Sequence, residues 1–263
     1  MLVFAGLVPN SPILLSSINP DRIKEAEKTL RAIEEFAEEL YSSQPDTLIL
    51  LAEGQTMYPD AFSVDVADPF ATDLSEFGDL RAGKTYHPDF GLIDRLQRAA
   101  RKTESKISLT TDESLNFAAA VPLELLAGHL PAVRVVPIAP TQLPAKVHFE
   151  MGALIKDVAQ EHHGRVAVIA CGVLSHALSD ESPAGMDPAG EKFDNRMWEI
   201  LEQKNTAGLL QLDPELVHAA HDASYRQICM LFGVLEGINV TPHLLSYESP
   251  FGVGYAVAHF HLR

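Results

Sequence analysis

The sequence predicts an α/β fold: one three-layer domain, residues 1–263, with a mixed central β-sheet and helices on both faces. Short apolar runs at 46–52, 133–138 and 165–170 are typical of strands that are covered on both faces. Longer segments between them carry apolar residues at spacings of three and four, the period of an amphipathic helix. Strands that alternate with helices favour a layered α/β sheet. No linker, internal repeat or low-complexity stretch divides the chain.

The first half of the chain begins with a predicted strand at 2–8. Asn19-Pro20 predicts a helix start, with Asn as the cap and Pro in the first helical position. After the strand at 46–52, residues 53–89 lack periodicity and predict a long excursion near the ligand-binding edge of the sheet. We expect one short strand within it, at 62–66. A helix at 90–103 and a weak strand at 106–109 follow.

The second half continues the alternation. We predict a helix at 118–130 with Pro122 in its first turn, because proline is tolerated there. A strand at 133–138, a helix at 146–161 and a strand at 165–170 follow. Two more helices are predicted at 190–204 and 214–236, the second with Gly237 as its C-terminal cap. The chain closes on extended runs at 241–247 and 254–261, around a turn at 249–252.

The composition excludes several classes of function. The 36 acidic and 20 basic residues give a formal net charge of −16, which argues against nucleic acid and anionic membranes as partners. No apolar run approaches the roughly 20 residues that span a bilayer, and the N-terminus lacks the pattern of a signal peptide. Cys171 and Cys229 have neither metal-motif spacing nor disulfide density. A reduced, cytoplasmic setting is therefore expected.

Two residues with reactive side chains lie at the predicted carboxyl ends of strands. His176 lies just past the predicted strand at 165–170, and Glu248 lies at the end of the next-to-last strand, before the Ser-Pro-Phe-Gly turn. Ligands of open α/β sheets bind at the carboxyl ends of the strands. An imidazole and a carboxylate that meet there could ligate iron or relay protons. The alternative is a structural hydrogen bond that ties a loop to the sheet edge.

Other motifs favour no specific chemistry. The chain has neither a glycine-rich phosphate loop nor a G-x-S-x-G elbow. His218 and His221, three apart on a predicted helix, lack an obvious third ligand, so a surface position is the favoured interpretation. His259 and His261 alternate on the last strand and face one side. Their terminal position indicates a rim or an interface rather than a site.

Five segments together resemble the class III extradiol ring-cleavage dioxygenase superfamily, the family of LigB and its Memo-like relatives. These are GLVPNSPILL (6–15), PDAFSV (59–64), VAVIACGVLSHAL (166–178), PAGMDPAGEKFD (183–194) and YESPFGVGYAVA (247–258). The resemblance is strongest to the bacterial group found with Ammecr-type, Memo and radical-SAM proteins. It implies a mixed sheet with helices on both faces, and a ferrous ion held by two histidines and a glutamate.

Carried over position by position, the resemblance implies a degenerate iron site. Asn10 and Gly54 stand where the family has its two histidine ligands, and Phe117 stands where a further histidine is expected. Glu248, the third ligand, and His176, the catalytic histidine, are kept. Val173 replaces an aspartate three residues before His176.

We weigh three functions against this pattern. The leading one is a non-catalytic binding or partner subunit without a cofactor, in a homo-oligomer or in a hetero-oligomer with a homologous catalytic subunit or a Memo or radical-SAM protein. The second is a dioxygenase or other oxidoreductase acting on a small aromatic substrate, in which Glu53, His176 and Glu248 hold Fe(II) or another divalent metal in a rebuilt site. The third is a small-molecule sensor that uses a pocket lined by Asn10, Phe117 and His176.

Overall fold

An eight-stranded mixed β-sheet forms the centre of the protein in the computed structural model, which describes residues 1–130 and 132–263. The strands of the protein are β1 (Leu2–Val8), β2 (Thr47–Leu51), β3 (Phe62–Asp65), β4 (Phe70–Thr72), β5 (Thr85–Tyr86), β6 (Ile107–Thr110), β7 (Ser114–Leu115), β8 (Arg134–Ala139), β9 (Val166–Cys171), β10 (Val240–Glu248) and β11 (Tyr255–Leu262). The order in the large sheet is β10-β11-β1-β9-β2-β8-β3-β6. The predicted α/β class with a mixed sheet is confirmed.

The four central strands explain the apolar runs in the sequence. β1, β9, β2 and β8 are parallel neighbours, and almost every residue in them is buried. Antiparallel strands flank this block, because β11 pairs with β1 and β3 pairs with β8. The hairpin of β10 and β11 therefore forms one end of the sheet.

Helices cover both faces of this sheet, which gives the predicted three layers. They are α1 (Glu27–Ser42), α2 (Phe90–Ala100), α3 (Phe117–Leu126), α4 (Ala145–Glu161), α5 (Pro188–Gln203), α6 (Thr206–Leu210), α7 (Pro214–Ala219) and α8 (Tyr225–Val234). Helices α1 and α3 pack on one face, and α2, α4, α5 and α8 pack on the other. No helix in the described parts of the chain combines the length and the apolar character needed to cross a bilayer.

The first helix starts later than its sequence signal predicts. The side chain of Asn19 does not cap a helix; its amide donates to the carbonyl of Ile13, 3.3 Å away. A 3-10 turn at Ile23–Ala26 leads into α1 at Glu27. The free backbone amide of Thr29 in the first turn is satisfied from outside, by the carboxylate of Glu248 at 2.6 Å. Tertiary contact, not a local cap, thus fixes where α1 begins.

Two other helix predictions are corrected. The helix predicted at 214–236 is broken, because His221 takes a left-handed conformation with φ of 50° and Asp222 caps a new helix, α8. Pro122 lies in the second turn of α3 instead of the first, since Asn116 is the N-cap. The long excursion at 53–89 contains β4 and β5, which pair with each other and, through β4, with β7 in a small separate sheet.

Helices α4 and α8 cross at unusually short range through two glycines. A Cβ atom on Gly152 would lie 1.9 Å from the carbonyl oxygen of Met230, and one on Gly233 would lie 2.0 Å from that of Phe149. Both obstacles are backbone atoms, which cannot move without separating the helices. The α4–α8 contact therefore depends on the absence of a side chain at both positions.

This crossing predicts the effect of one added methyl group. Gly152→Ala should lower the free energy of unfolding by about 1–3 kcal/mol through overpacking. The control is Gly91→Ala in α2, where the nearest atom would lie 3.4 Å away and where helix propensity favours alanine by about 1 kcal/mol. Urea denaturation of both variants measures the difference. Equal stability of the two variants would contradict the close crossing.

Candidate functional site

The loops at the carboxyl edge of the central strands form the candidate site. The parallel strands β1, β9, β2 and β8 end at this edge, and β10 also ends there because it runs parallel to β1 through β11. The sequence-predicted residues Asn10, Glu53, His176 and Glu248 all follow or end such strands. Topology thus brings their backbones to one edge, and side-chain contacts decide which of them meet.

The loop after β9 is tied down by backbone and hydroxyl contacts. The amide of His176 donates to the carbonyl of Ala220 at 3.1 Å, and the hydroxyl of Ser175 donates to the same carbonyl at 2.8 Å. The ring Nδ1 of His176 lies 2.7 Å from the carbonyl oxygen of His221. Because a carbonyl can only accept, Nδ1 carries the proton, and Nε2 is the acceptor in the neutral ring. His176 therefore fastens its loop to the segment between α7 and α8.

Asp194 in α5 is a buried carboxyl group at this edge, and no local pattern in the sequence predicts a functional role for it. It is 1% exposed. Its Oδ1 accepts from the amide of Ser175 at 2.9 Å, and its Oδ2 accepts from the hydroxyl of Tyr247 at 2.7 Å. Burial raises the pKa of Asp194 to about 6, although both hydrogen bonds favour the ionised form. The feature of the sequence that could have identified Asp194 is its position as the last residue of the PAGMDPAGEKFD segment.

Glu248 faces the start of α1. Its Oε1 accepts from the backbone amide of Thr29 at 2.6 Å. Next to this contact, the ammonium of Lys28 donates to the carbonyl of Tyr247 at 2.9 Å. A carboxylate at a helix N-terminus is stabilised by the unpaired amides and by the helix dipole. Glu248 thus has a structural partner that accounts for its carboxylate.

Asn10 and Gly54, where the resemblance implies histidine ligands, have little free space around them. Asn10 is 5% exposed. A Cβ atom on Gly54 would already lie 3.1 Å from the Cβ of Ala139 and 3.3 Å from the carbonyl of Thr56. The space beside Gly54 is a small cavity of about 20 Å³, lined in part by Ser63 and Asp65. That volume accommodates about one water molecule.

Phe117 and Val173 are packing residues. The ring of Phe117 meets the ring of Phe77 edge to face, with centroids 5.4 Å apart, and contacts a small apolar cluster that includes Leu74 and Val121. Val173 is buried, and its carbonyl accepts from the amide of Ala223 at 3.3 Å. Neither side chain presents a polar group to the edge.

A cleft of about 780 Å³ lies at this edge, between the loops after β2 and β8 and the α7–α8 segment. The charged or titratable side chains that line it are Glu53, Lys146, His218, His221, Asp222, Tyr225 and Arg226. Burial raises the pKa of Asp222 to about 7, and this carboxylate also accepts from the amide of Tyr225 at 2.8 Å. The sequence does not predict this cleft, because its pattern indicates one continuous helix at 214–236 where the chain in fact breaks at Asp222.

The cleft is therefore not lined by the residues that the sequence predicts for a small-molecule pocket. Glu53 lines the cleft, whereas Asn10, Phe117 and His176 are not among its lining residues. A second cavity, of about 720 Å³, lies at the opposite edge, where Thr47 and Arg134 begin their strands. Since α/β sheets bind ligands at the carboxyl edge, the first cleft is the better candidate.

The donor set at the carboxyl edge does not fit an iron ion. Within residues 1–130 and 132–263, the one group of three or more potential ligands whose donor atoms all lie within 4.8 Å of one another is Glu39, His243 and His261. Glu53, His176 and Glu248 do not form such a group, so the contacts do not support the rebuilt site. Divalent metals need several ligands at about 2 Å, which one carboxylate cannot replace.

The chain is similar to known proteins in both sequence and fold. The family described as the catalytic LigB subunit of aromatic ring-opening dioxygenase matches residues 5–258. Protein CA_C1420 of Clostridium acetobutylicum is 27% identical over 265 residues, which cover 95% of this chain and 56% of that protein. The chain thus spans little more than half the length of this relative. The crystal structure of the uncharacterized protein JW3007 from Escherichia coli K12 superposes with a TM-score of 0.64 at 15% identity, covering 88% of this chain and 91% of that one.

The buried carboxyl of Asp194 predicts a pH dependence of stability. Its folded pKa of about 6 lies above the ordinary value of 3.8, so the folded state binds more protons than the unfolded state between these values. Its contribution to stability is therefore present below pH 3.8 and is lost as the pH rises through 6. Relative to Asp194→Asn, the wild-type protein should lose roughly 3 kcal/mol at most between pH 4 and 7.

Urea denaturation at several pH values measures this difference. The exposed Asp157→Asn in α4 is the control, and its difference from wild type should not change over the same range. A wild-type protein that instead gains stability relative to Asp194→Asn as the pH rises would show that the two hydrogen bonds outweigh burial.

Proposed function

Because this chain belongs to the LigB family of aromatic ring-opening dioxygenase subunits, we propose that it is a non-catalytic member that works as a binding or partner subunit. One observation carries the proposal: the carboxylate of Glu248 is held by the amide of Thr29 at 2.6 Å. Glu248 is the one residue of the implied iron-binding triad that this sequence keeps. Its contact explains why it is kept without a metal, since it completes the first turn of α1.

The two other ligand positions support the same proposal. Gly54 has no side chain to coordinate a metal, and even a Cβ atom there would be in tight contact with Ala139, at 3.1 Å. Asn10 offers a neutral amide, a weaker ligand for Fe(II) than imidazole. His176 is kept as well, and its bond to the carbonyl of His221 gives it a structural role. Each retained residue therefore has a partner within the fold.

The relative from Clostridium acetobutylicum supports a role in association. This chain covers 56% of that protein, so a LigB-like region is joined there to a further segment. Regions that share one chain in one organism often work as separate partners in another. We therefore propose a homologous catalytic subunit, or a Memo or radical-SAM protein, as the partner. A second copy of this chain is the alternative.

The iron site is tested by anaerobic incubation with Fe(II), desalting and elemental analysis, followed by an assay of ring cleavage with substituted catechols under oxygen. We expect no turnover and the same metal content in wild type and in Glu248→Gln. The variant should lose about 1 kcal/mol of stability, because it weakens the contact to the α1 terminus. Iron that disappears only in Glu248→Gln, with ring cleavage in the wild type, would overturn the proposal.

Partnership is tested by co-expression with each LigB-like, Memo-like and radical-SAM protein encoded in the same genome. Light scattering after size exclusion should reveal one defined complex, at fixed stoichiometry, with one of these proteins or with a second copy. The control is co-expression with a protein of the same genome from outside these families, which should form no complex. A protein that stays monomeric with every candidate would contradict a partner role.

A second candidate function, binding of a small molecule, is favoured by the cleft of about 780 Å³. Its volume falls in the range of small-molecule sites, and the raised pKa of Asp222 is typical of functional clefts. A bound ligand would raise the Tm in proportion to its occupancy. A thermal-shift screen of catechols and aromatic acids tests this, with Arg226→Ala as the cleft variant and the distant Arg31→Ala as the control. Binding that is insensitive to Arg226→Ala would place the ligand elsewhere.

A further inference from the structure

Three histidines and one glutamate gather at the far end of the β10–β11 hairpin, away from the carboxyl edge. His243 lies on β10, His261 on β11, and Glu39 in the last turn of α1. His243 precedes Glu248 by five residues, or about 17 Å of extended strand. This cluster is therefore separate from the candidate site described above.

The geometry brings the ligand atoms within reach of one ion. One donor atom each from Glu39, His243 and His261 lie within 4.8 Å of one another. The rings of His243 and His261 stack with centroids 5.5 Å apart and an interplanar angle of 27°. Both imidazoles are exposed, so an ion between them would keep open positions for water. Two imidazoles and a carboxylate are a ligand set that zinc uses.

A fourth residue holds the carboxylate in place. His259 is 6% exposed, and its ring stacks on Phe4 with centroids 4.2 Å apart. Its Nδ1 contacts the carboxylate of Glu39 directly. The buried ring of His259 therefore limits where the carboxylate of Glu39 can lie. The sequence placed His259 and His261 on one face of the strand, and the fold adds the two residues from other elements.

We propose that Glu39, His243 and His261 form a binding site for a divalent transition-metal ion of the zinc class. The ion joins the C-terminal end of α1 to the edge hairpin of the sheet. At the N-terminal end of α1, hydrogen bonds of Glu248 and Lys28 already join this helix to β10. The metal therefore fastens the exposed end of the hairpin, and it is independent of the proposed function at the carboxyl edge.

The experiment is a titration of tag-free, metal-stripped protein with Zn²⁺ by calorimetry, with Co²⁺ absorption as a spectroscopic readout. We expect one ion per chain, a tetrahedral Co²⁺ spectrum, and a rise in Tm of at least about 3 °C at saturating Zn²⁺. His243→Gln, His261→Gln and Glu39→Gln should each weaken binding at least about tenfold, the loss expected even when only a ligand's hydrogen-bonding partner is removed.

Two controls separate this site from other metal binding. His163→Gln removes another exposed histidine, and Glu248→Gln removes the carboxylate at the carboxyl edge; both should bind Zn²⁺ as the wild type does. All ligand variants change partly or fully exposed side chains, so their folding is checked by circular dichroism. Stoichiometric Zn²⁺ that survives His261→Gln, or the absence of any saturable binding, would overturn the proposal.

Discussion

The carboxylate of Asp194 joins three segments that lie far apart in the sequence. One oxygen accepts from the amide of Ser175 in the loop after β9, and the other accepts from the hydroxyl of Tyr247 near the end of β10. Gly254, at the start of the last strand, leaves the room for this carboxylate, because a Cβ atom there would lie 2.0 Å from it. A carboxyl group that is 1% exposed costs free energy unless it is hydrogen-bonded, so its burial favours the arrangement in which these segments meet.

This constraint links the three C-terminal segments of the family resemblance, at 166–178, 183–194 and 247–258. The amide of Leu174 donates to the carbonyl of Gly254 at 2.8 Å, and the amide of Gly254 donates to the carbonyl of Ser175 at 2.9 Å. The loop with His176 and the strand end with Glu248 are therefore held by backbone bonds around one buried charge. None of these contacts involves Asn10 or Gly54, so the framework does not depend on which residues stand at those positions.

Glu248 and the open space lie in different parts of the carboxyl edge. The carboxylate of Glu248 accepts from an amide in the first turn of α1 and so stabilises the start of that helix. The space beside Gly54 is only about 20 Å³. The open volume lies farther out, in the cleft lined by Glu53 and Arg226. The open volume at this edge therefore lies in the cleft and not beside Gly54.

The sequence by itself determined the α/β class, the central strands and the residues at the sheet edge, because runs of buried apolar residues and their periods are local properties. It also identified the family from its motifs. The structure also revealed the break at Asp222, where a left-handed His221 and a local cap interrupt a segment that the apolar period predicts as one helix. The tertiary structure alone decided the start of α1 and the partners of Glu248 and His176. Each of these depends on a hydrogen bond to a residue distant in sequence, and no local pattern records which donor and acceptor the fold will bring together.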